Sequence, residues 1–313
     1  MATPASTIPD AYITQFSTSW RHLSQQMESR LKEYVSVDYI NGKEKKYNQL
    51  QSETARLITS RKAATTETEE VTDHRWLRLQ AYDMVSRFDE FDDELLGTIP
   101  VPRSETVQKH TMAFNRRCDQ TIVDALGGTA YNGATGTNAV TFPSAQTIAV
   151  DFKDLTSTTG GGTDYNLTIQ KLVQARKLLE TAEAYQGPEY GDKLCIAVTA
   201  NQIAGLLMDA IEVQSSDFNA IKALYEGQIT EYGGFRWKRL ELLPIASTVR
   251  SCFAWVKSGV MLGIGEDRKV YADYLPTQNH SLQLRSTMLL GATRLEENRV
   301  IKILCDEDEA SIV

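Results

Sequence analysis

The residues best equipped for chemistry are four histidines, four cysteines and one tight acidic cluster, and their spacing argues against a reaction. His22, His74, His110 and His280 are scattered and none lies beside an obvious nucleophile. A general base needs a positioned partner, so these read as structural or solvent-facing rings. Cys118, Cys195, Cys252 and Cys305 never approach metal-ligand or redox spacing and read as reduced, mostly buried thiols of a cytoplasmic protein. Asp92, Asp93 and Glu94 could hold a divalent ion with further oxygen ligands, although carboxylates at a helix start commonly serve as dipole partners. With His110 they mark the one place where a metal-assisted or acid/base site could be built. Gly42-Lys43 lacks the upstream glycine of a phosphate loop and is followed by Glu44. Gly263-Ile264-Gly265 is a fragment of a dinucleotide fingerprint without its third glycine, and Glu266-Asp267 would repel a pyrophosphate, so it reads as a turn. The lysines between residues 34 and 82 suggest a covalent cross-link, but none sits in the apolar setting that would activate an amine. The expectation is no catalytic residue, no cofactor and no metal.

With 313 residues, the chain can bury one large core or two medium ones. Its 42% hydrophobic and 24% charged residues exclude wholesale disorder. A formal charge of -8 argues against a tight, non-specific grip on nucleic acid, because that affinity comes from neutralising phosphates with Lys and Arg. No apolar run approaches the roughly 18 residues of a membrane helix. The start MATPASTIPDAYITQF lacks a basic segment followed by an apolar core, so a soluble, unsorted chain is expected. Asn166-Leu167-Thr168 and Asn279-His280-Ser281 match the glycosylation acceptor but carry no weight without a secretory signal.

What needs positioning instead is a long polar stretch from Tyr34 to Tyr82. Val35, Val37 and Tyr39 alternate with polar residues on the way out. On the way back His74, Trp76, Arg78 and Gln80 alternate with Arg75, Leu77 and Leu79, which is the period of a two-stranded ribbon. Two limbs of about 20 residues rising roughly 3.3 Å per residue would span on the order of 60 Å. An isolated hairpin is marginal in water, so the ribbon is expected to rest on another molecule, most simply a second copy. Lys43, Lys45, Lys46, Arg56, Arg61 and Lys62 make the outgoing limb basic, whereas Glu67, Glu69, Glu70 and Asp73 make the far side of the tip acidic. Segregated charge sets register and partner choice between surfaces; the alternative is a solvated loop whose charges only maintain solubility. Candidate inter-subunit contacts are therefore Lys43, Lys45, Lys46, Arg61, Lys62, Glu67, Glu69, Glu70 and Trp76, with Trp20 from the preceding segment.

Around this ribbon the pattern is mixed. Ile13, Phe16, Trp20, Leu23, Met27 and Leu31 are spaced as one face of an amphipathic helix. After Pro100 and Pro102, Ser104 can cap a long helix with Val107, Thr111, Phe114, Cys118, Ile122 and Ala125 on one face, closed by Gly127 and Gly128. At about 1.5 Å per residue it would be roughly 33 Å long and act as a spine built on Val107, Phe114, Cys118 and Ile122. Residues 129–162 read as Gly- and Thr-rich loops around one strand at Ile148–Phe152. Three helices follow, the second with a Thr199/Gln202 capping box behind a buried KLCIAVT strand. A hairpin turns at Gly233-Gly234, and strands are expected at 252–256, 260–264, 269–274, 282–290 and 300–305. The fold class is α+β, and the long helix leaves no room for a jelly roll.

Several segments together resemble one known family. TQFSTSWRHLSQQMESRLKEYVSVDYINGKEKKYNQL is similar to the start of one tailed-phage major capsid subfamily, with a Leu-x-Gln-Gln helix, then Ser-Arg-Leu, then a Gly-Lys before an aromatic and a Gln. RRCDQTIVDALGGTAYNGATG resembles its spine-helix end and glycine loop, and SGVMLGIGEDRKVYADY and LLGATRLEENRVIKILC resemble its closing strands. The resemblance implies the Hong Kong 97-type shell fold, shared with encapsulins. It implies an N-terminal arm at 1–36, an extended loop at 37–85, a peripheral domain from 86–127 and 280–313, and an axial domain at 128–279. It further implies an icosahedral capsid of hexamers and pentamers around double-stranded DNA, assembled in the host cytoplasm. The helical extension of members with a built-in scaffold is missing, which suggests a separate scaffolding protein, beside a portal, with a cement protein left open. The family's cross-linking Lys and Asn match no motif here. Two other readings stay open: an encapsulin-like compartment, and an unrelated soluble enzyme built on Asp92, Asp93, Glu94 and His110.

Overall fold

The computed structural model describes residues 22–51, 53–55, 57, 60–61, 72–89, 103–152, 164–187, 191–212, 218–227 and 230–308. Along the chain these form β1 (Ser36–Tyr39), β2 (Glu44–Leu50), β3 (Thr72–Arg78), β4 (Gln80–Phe88), α1 (Arg103–Gly127), β5 (Ala130–Asn132), β6 (Asn138–Val140) and β7 (Thr147–Ile148). Next come α2 (Ile169–Thr181), β8 (Leu194–Val198), α3 (Ala200–Glu212), α4 (Phe218–Tyr225), β9 (Glu231–Tyr232), β10 (Phe235–Arg239), β11 (Ile245–Ala246) and β12 (Val249–Val256). Two long strands, β13 (Val260–Leu275) and β14 (Ser281–Arg294), precede the last strand, β15 (Val300–Asp306). Contacts divide the chain into two compact units. One comprises the described parts of Met1–Glu28, Ala81–Arg116 and Glu266–Met288; the other comprises the described parts of Ser29–Gln80, Arg117–Gly265 and Leu289–Val313.

The larger unit is centred on a sheet of seven strands in the order β7-β15-β12-β8-β10-β9, with β11 on β12. All five residues of β8 are buried, as a strand covered on both faces requires. It pairs parallel with β10 and antiparallel with β12, placing Phe253 opposite Ala197 and Trp255 opposite Cys195. α2 packs on β15 and β7, and α3 on α4. The Thr168 side chain caps α2 by accepting from the Lys171 amide. At α3, Gln202 Oε1 reaches back to the Thr199 amide at 3.0 Å, as the capping-box pattern predicts. The turn between β9 and β10 has φ of 64° at Gly233 and 84° at Gly234, the left-handed values that make two glycines the natural choice there. All four cysteines are free and buried.

Two buried cations, not legible from the sequence, close this unit. Lys171 is fully buried, and its Nζ donates to the carbonyls of Val150, Tyr165 and Leu304 at 2.9, 2.7 and 2.9 Å. It thereby pins both ends of the 150–165 segment to β15; burial pushes its ammonium pKa down, while the carbonyls replace its water shell. Arg294, also fully buried, donates through Nη1 to the carbonyls of Ala125, Leu126 and Gly128 at 3.2, 3.0 and 2.7 Å, capping the carbonyl end of α1.

In the smaller unit, the outer half of β13, the first half of β14 and β4 lie side by side in that order. His110, from the first part of α1, is buried between Ser86 Oγ and Ser286 Oγ, each 2.9 Å from a ring nitrogen. Desolvation holds its pKa below the usual value. Both ring nitrogens thus have hydroxyl partners within the chain.

Several expectations are corrected. Residues 22–31 form no helix, and only Lys32–Tyr34 make a turn of 3₁₀ helix. Backbone groups here are captured by α1 instead: Asn115 Nδ2 donates to the Met27 carbonyl at 2.7 Å, and the Asp119 carboxylate accepts from the Arg30 and Leu31 amides at 2.9 and 3.1 Å. α1 begins at Arg103, so Ser104 lies inside the first turn and bonds Glu105 rather than capping. The strand expected at 148–152 is only Thr147–Ile148. Gly263-Ile264-Gly265 is no turn but the middle of β13, into which the strands expected at 260–264 and 269–274 fuse. Trp20 and Asp92, Asp93 and Glu94 lie outside the described residues.

Candidate assembly site

The ribbon base forms in the larger unit as a four-stranded sheet in the order β2-β3-β5-β6. β2 and β3 pair antiparallel from Glu44 opposite Arg78 to Leu50 opposite Thr72. Opposed residues share a face, so Lys45, Tyr47, Gln49, Arg75 and Leu77 line one side and Glu44, Lys46, Asn48, Trp76 and Arg78 the other. β1 belongs elsewhere: it pairs parallel with β13, Ser36 to Met261 through Tyr39 to Ile264. The outgoing limb thus starts after Gly42, and the expectation of one continuous ribbon from Tyr34 is corrected.

The inner face is held by its own chain. Leu77 is fully buried and clusters with Ile40 and Leu79, with Tyr47, Met261 and Leu289 packed against them. This contact explains the glycines of β13. A Cβ on Gly263 would stand 2.6 Å from both Ile40 Cδ1 and Leu77 Cδ2, and one on Gly265 would stand 2.6 Å from side-chain carbons of Leu79 and Leu289. The glycines therefore give the ribbon base room to lie on the strand. Beside the apolar patch, Asp38 receives Lys45 Nζ, and Tyr47 Oη donates to it at 2.6 Å. Lys45, then Tyr47, holds the Asp38 carboxyl below its ordinary range, while burial and that carboxylate push the Tyr47 phenol up. Arg75, 3% exposed, donates through Nε to the Leu295 carbonyl at 3.1 Å and through Nη2 to Glu297 at 2.9 Å, and Gln49 Nε2 donates to the same carbonyl.

The outer face is clamped by the glycine loop, which folds as the β5–β6 hairpin rather than as a free loop. The same hairpin also reaches the inner-face side, where Asn132 pairs with Arg75 in the ladder and Asp73, opposite Gln49, accepts from Asn132 Nδ2 at 2.8 Å and from the Gly133 amide at 3.3 Å. The His74 amide, then Asn132 and Gly133, lowers the Asp73 pKa. Trp76 Nε1 donates to the Gly133 carbonyl at 2.7 Å, and Arg78 Nη2 to the Gly136 carbonyl at 2.7 Å. A Cβ on Gly136 would sit 2.8 Å from the Trp76 ring, and φ there is 67°, so glycine is needed twice over.

Of the predicted contact residues, Trp76 and Lys45 are engaged within the chain, while Lys43, Lys46 and Arg61 are exposed. Lys62, Glu67, Glu69 and Glu70 lie outside the described residues. Leu50 and Leu57, at 74% and 82% exposure, are apolar residues left in solvent at the far end of the described ribbon. The expectation that the whole ribbon lacks support is corrected for its base. Sequence reasoning missed Asp38, Asp73, Arg75 and Glu297; the one available signal was Arg75 standing in phase with Leu77 and Leu79. Of the spine residues, Phe114, Cys118 and Ile122 are buried and Val107 is half-buried.

The architecture has close parallels among solved capsids. The capsid protein of cyanophage P-SCSP1u superimposes with a TM-score of 0.70 at 14% identity, covering 96% of this chain and 94% of that one. The cyanophage Pam1 capsid gives 0.70 at 12% identity, covering 98% and 100%, and the Ralstonia phage GP4 capsid gives 0.70 at 11% identity, covering 99% of each. At such identities the likeness shows the fold. No curated protein matches in sequence. The phage capsid protein family matches residues 8–307, almost the entire length. The chain belongs to the phage capsid protein family.

Proposed function

We propose that this capsid protein is the major shell subunit of a tailed phage, assembling as hexamers and pentamers into an icosahedral container for double-stranded DNA. The observation that carries this reading is the family match over residues 8–307. The ribbon base adds physical support. Its inner face and the β3 side of its outer face are engaged by its own chain, whereas Lys43, Lys46, Arg61, Leu50 and Leu57 face solvent in a way that a neighbouring subunit would use. In this reading residues 1–36 are an arm, 37–85 the extended loop, 86–127 with 280–313 the peripheral domain, and 128–279 the axial domain. The subunit has no catalytic role, works with a separate scaffolding protein and a portal, lies near DNA without reading it, and assembles in the host cytoplasm.

Negative-stain microscopy of the expressed chain, with and without its scaffold, tests this: closed shells support it, and a permanently solitary monomer overturns it. Reversing Lys43 and Lys46 to Glu sharpens the test. Both are exposed, so subunit stability should change by less than about 0.5 kcal/mol. Particles should become distorted or absent at low salt, since the contact is electrostatic. Lys45 is left alone because it already neutralises Asp38.

A further inference from the structure

The outer half of β13 carries a strand edge that no strand occupies among the described residues. β1 pairs with β13 only from Met261 to Ile264, and β14 lies on the other side. From Asp267 to Tyr274 every side chain is exposed, including Val270 at 49%, Tyr271 at 44% and Tyr274 at 67%. A long open edge with apolar side chains on it is a template for another strand.

We propose that this edge pairs antiparallel with the same edge of a second copy, about a two-fold axis at Tyr271. The inference rests on the reading that the chain assembles with copies of itself and names one of the contacts. In an antiparallel ladder a two-fold axis must pass through an opposed pair, so the residue on the axis faces its own copy. With Tyr271 there, Val270 faces the partner's Ala272, Lys269 the partner's Asp273 and Arg268 the partner's Tyr274. Each pairing occurs twice, joining opposite charges, a cation to a ring, and apolar to apolar. Moving the axis to Val270 sets Asp267 against Asp273 and Lys269 against Tyr271. Moving it to Ala272 sets Lys269 against Leu275 and Asp273 against Tyr271. Of these three registers, only the one at Tyr271 matches a cation to a carboxylate. Lys269 already bonds Glu266 in its own strand, which leaves its ammonium further donors for Asp273. The same charges deter unrelated strands, so the edge is selective for itself.

Single cysteines read the register directly. Opposed Cα atoms lie about 4.5–5.5 Å apart in such a ladder, inside the roughly 4.4–6.8 Å that a disulfide spans. The native cysteines are buried and stay silent. Full-length Tyr271→Cys, assembled and then oxidised in air with a copper catalyst, should run on non-reducing gels at twice the 35.0 kDa subunit mass and revert with reductant. Val270→Cys, offset from its own copy by two residues, should stay at the subunit mass. Cross-linking of Val270→Cys, or of neither variant, overturns the pairing. Shells formed by the unmodified chain would then leave the capsid reading standing, whereas a Tyr271→Cys dimer without shells would sink that reading and keep the pairing.

Discussion

In the seven-stranded sheet Ile196, Phe253, Ala254 and Trp255 are fully buried against apolar neighbours, and the polar ends of the strands are satisfied by the ladder itself. At the ribbon base in the same unit only Leu77 is fully buried, and Asp38, Asp73, Arg75, Trp76 and Glu297 make the attachments instead. Apolar burial is non-directional and does not titrate, so the interior of the sheet is held without dependence on the carboxylates. Charged hydrogen bonds are directional and titratable, so they fix the ribbon's register while leaving its hold dependent on solution conditions. An element that reaches away from its own core has little apolar surface to spend at its root, and this chain replaces it with geometry.

The largest break in that contrast should come from the sheet. Trp255→Ala empties a fully buried site and should cost about 3–5 kcal/mol in denaturant unfolding; an unchanged midpoint would mean that the sheet is not the cooperative core. Glu297→Ala strips the Arg75 guanidinium of its carboxylate. The expected loss is about 2–3 kcal/mol, less than for a fully buried pair, because the Glu297 side chain retains 23% exposure. It should appear as faster hydrogen exchange in β2 and β3 with β8 and β12 unaffected; uniform exchange across both would erase the distinction.

Acid should produce the smallest and most selective effect. Asp38 and Asp73 have folded pKa values below their ordinary ones, so their contribution is present above the unfolded value of about 4 and is lost as pH falls through the folded value. Exchange at Lys45–Gln49 and Asp73–Leu77, corrected for intrinsic rates, should therefore begin to rise as pH falls below about 4 while the interior of β8 and β12 holds. A flat profile at the ribbon base would show that its apolar cluster alone suffices.

Local periodicity carried much of the fold. The alternation of Arg75, Leu77 and Leu79, the Thr199/Gln202 box, the apolar run of β8, the Gly233-Gly234 turn and the apolar face of α1 were all legible, because each depends on residues within a turn or a strand of one another. Which of these found partners inside the chain depended on long-range packing. The Arg75 hydrogen bond to Leu295 spans 220 residues and the Lys171 bond to Leu304 spans 133, and no local pattern announces either. Residues 22–31 carry a helical pattern yet are held out of a helix by Asn115 and Asp119, since distant hydrogen-bond partners outweigh a weak local preference. Gly263 and Gly265 read as a turn until Ile40, Leu77, Leu79 and Leu289 came to occupy the space a side chain would need.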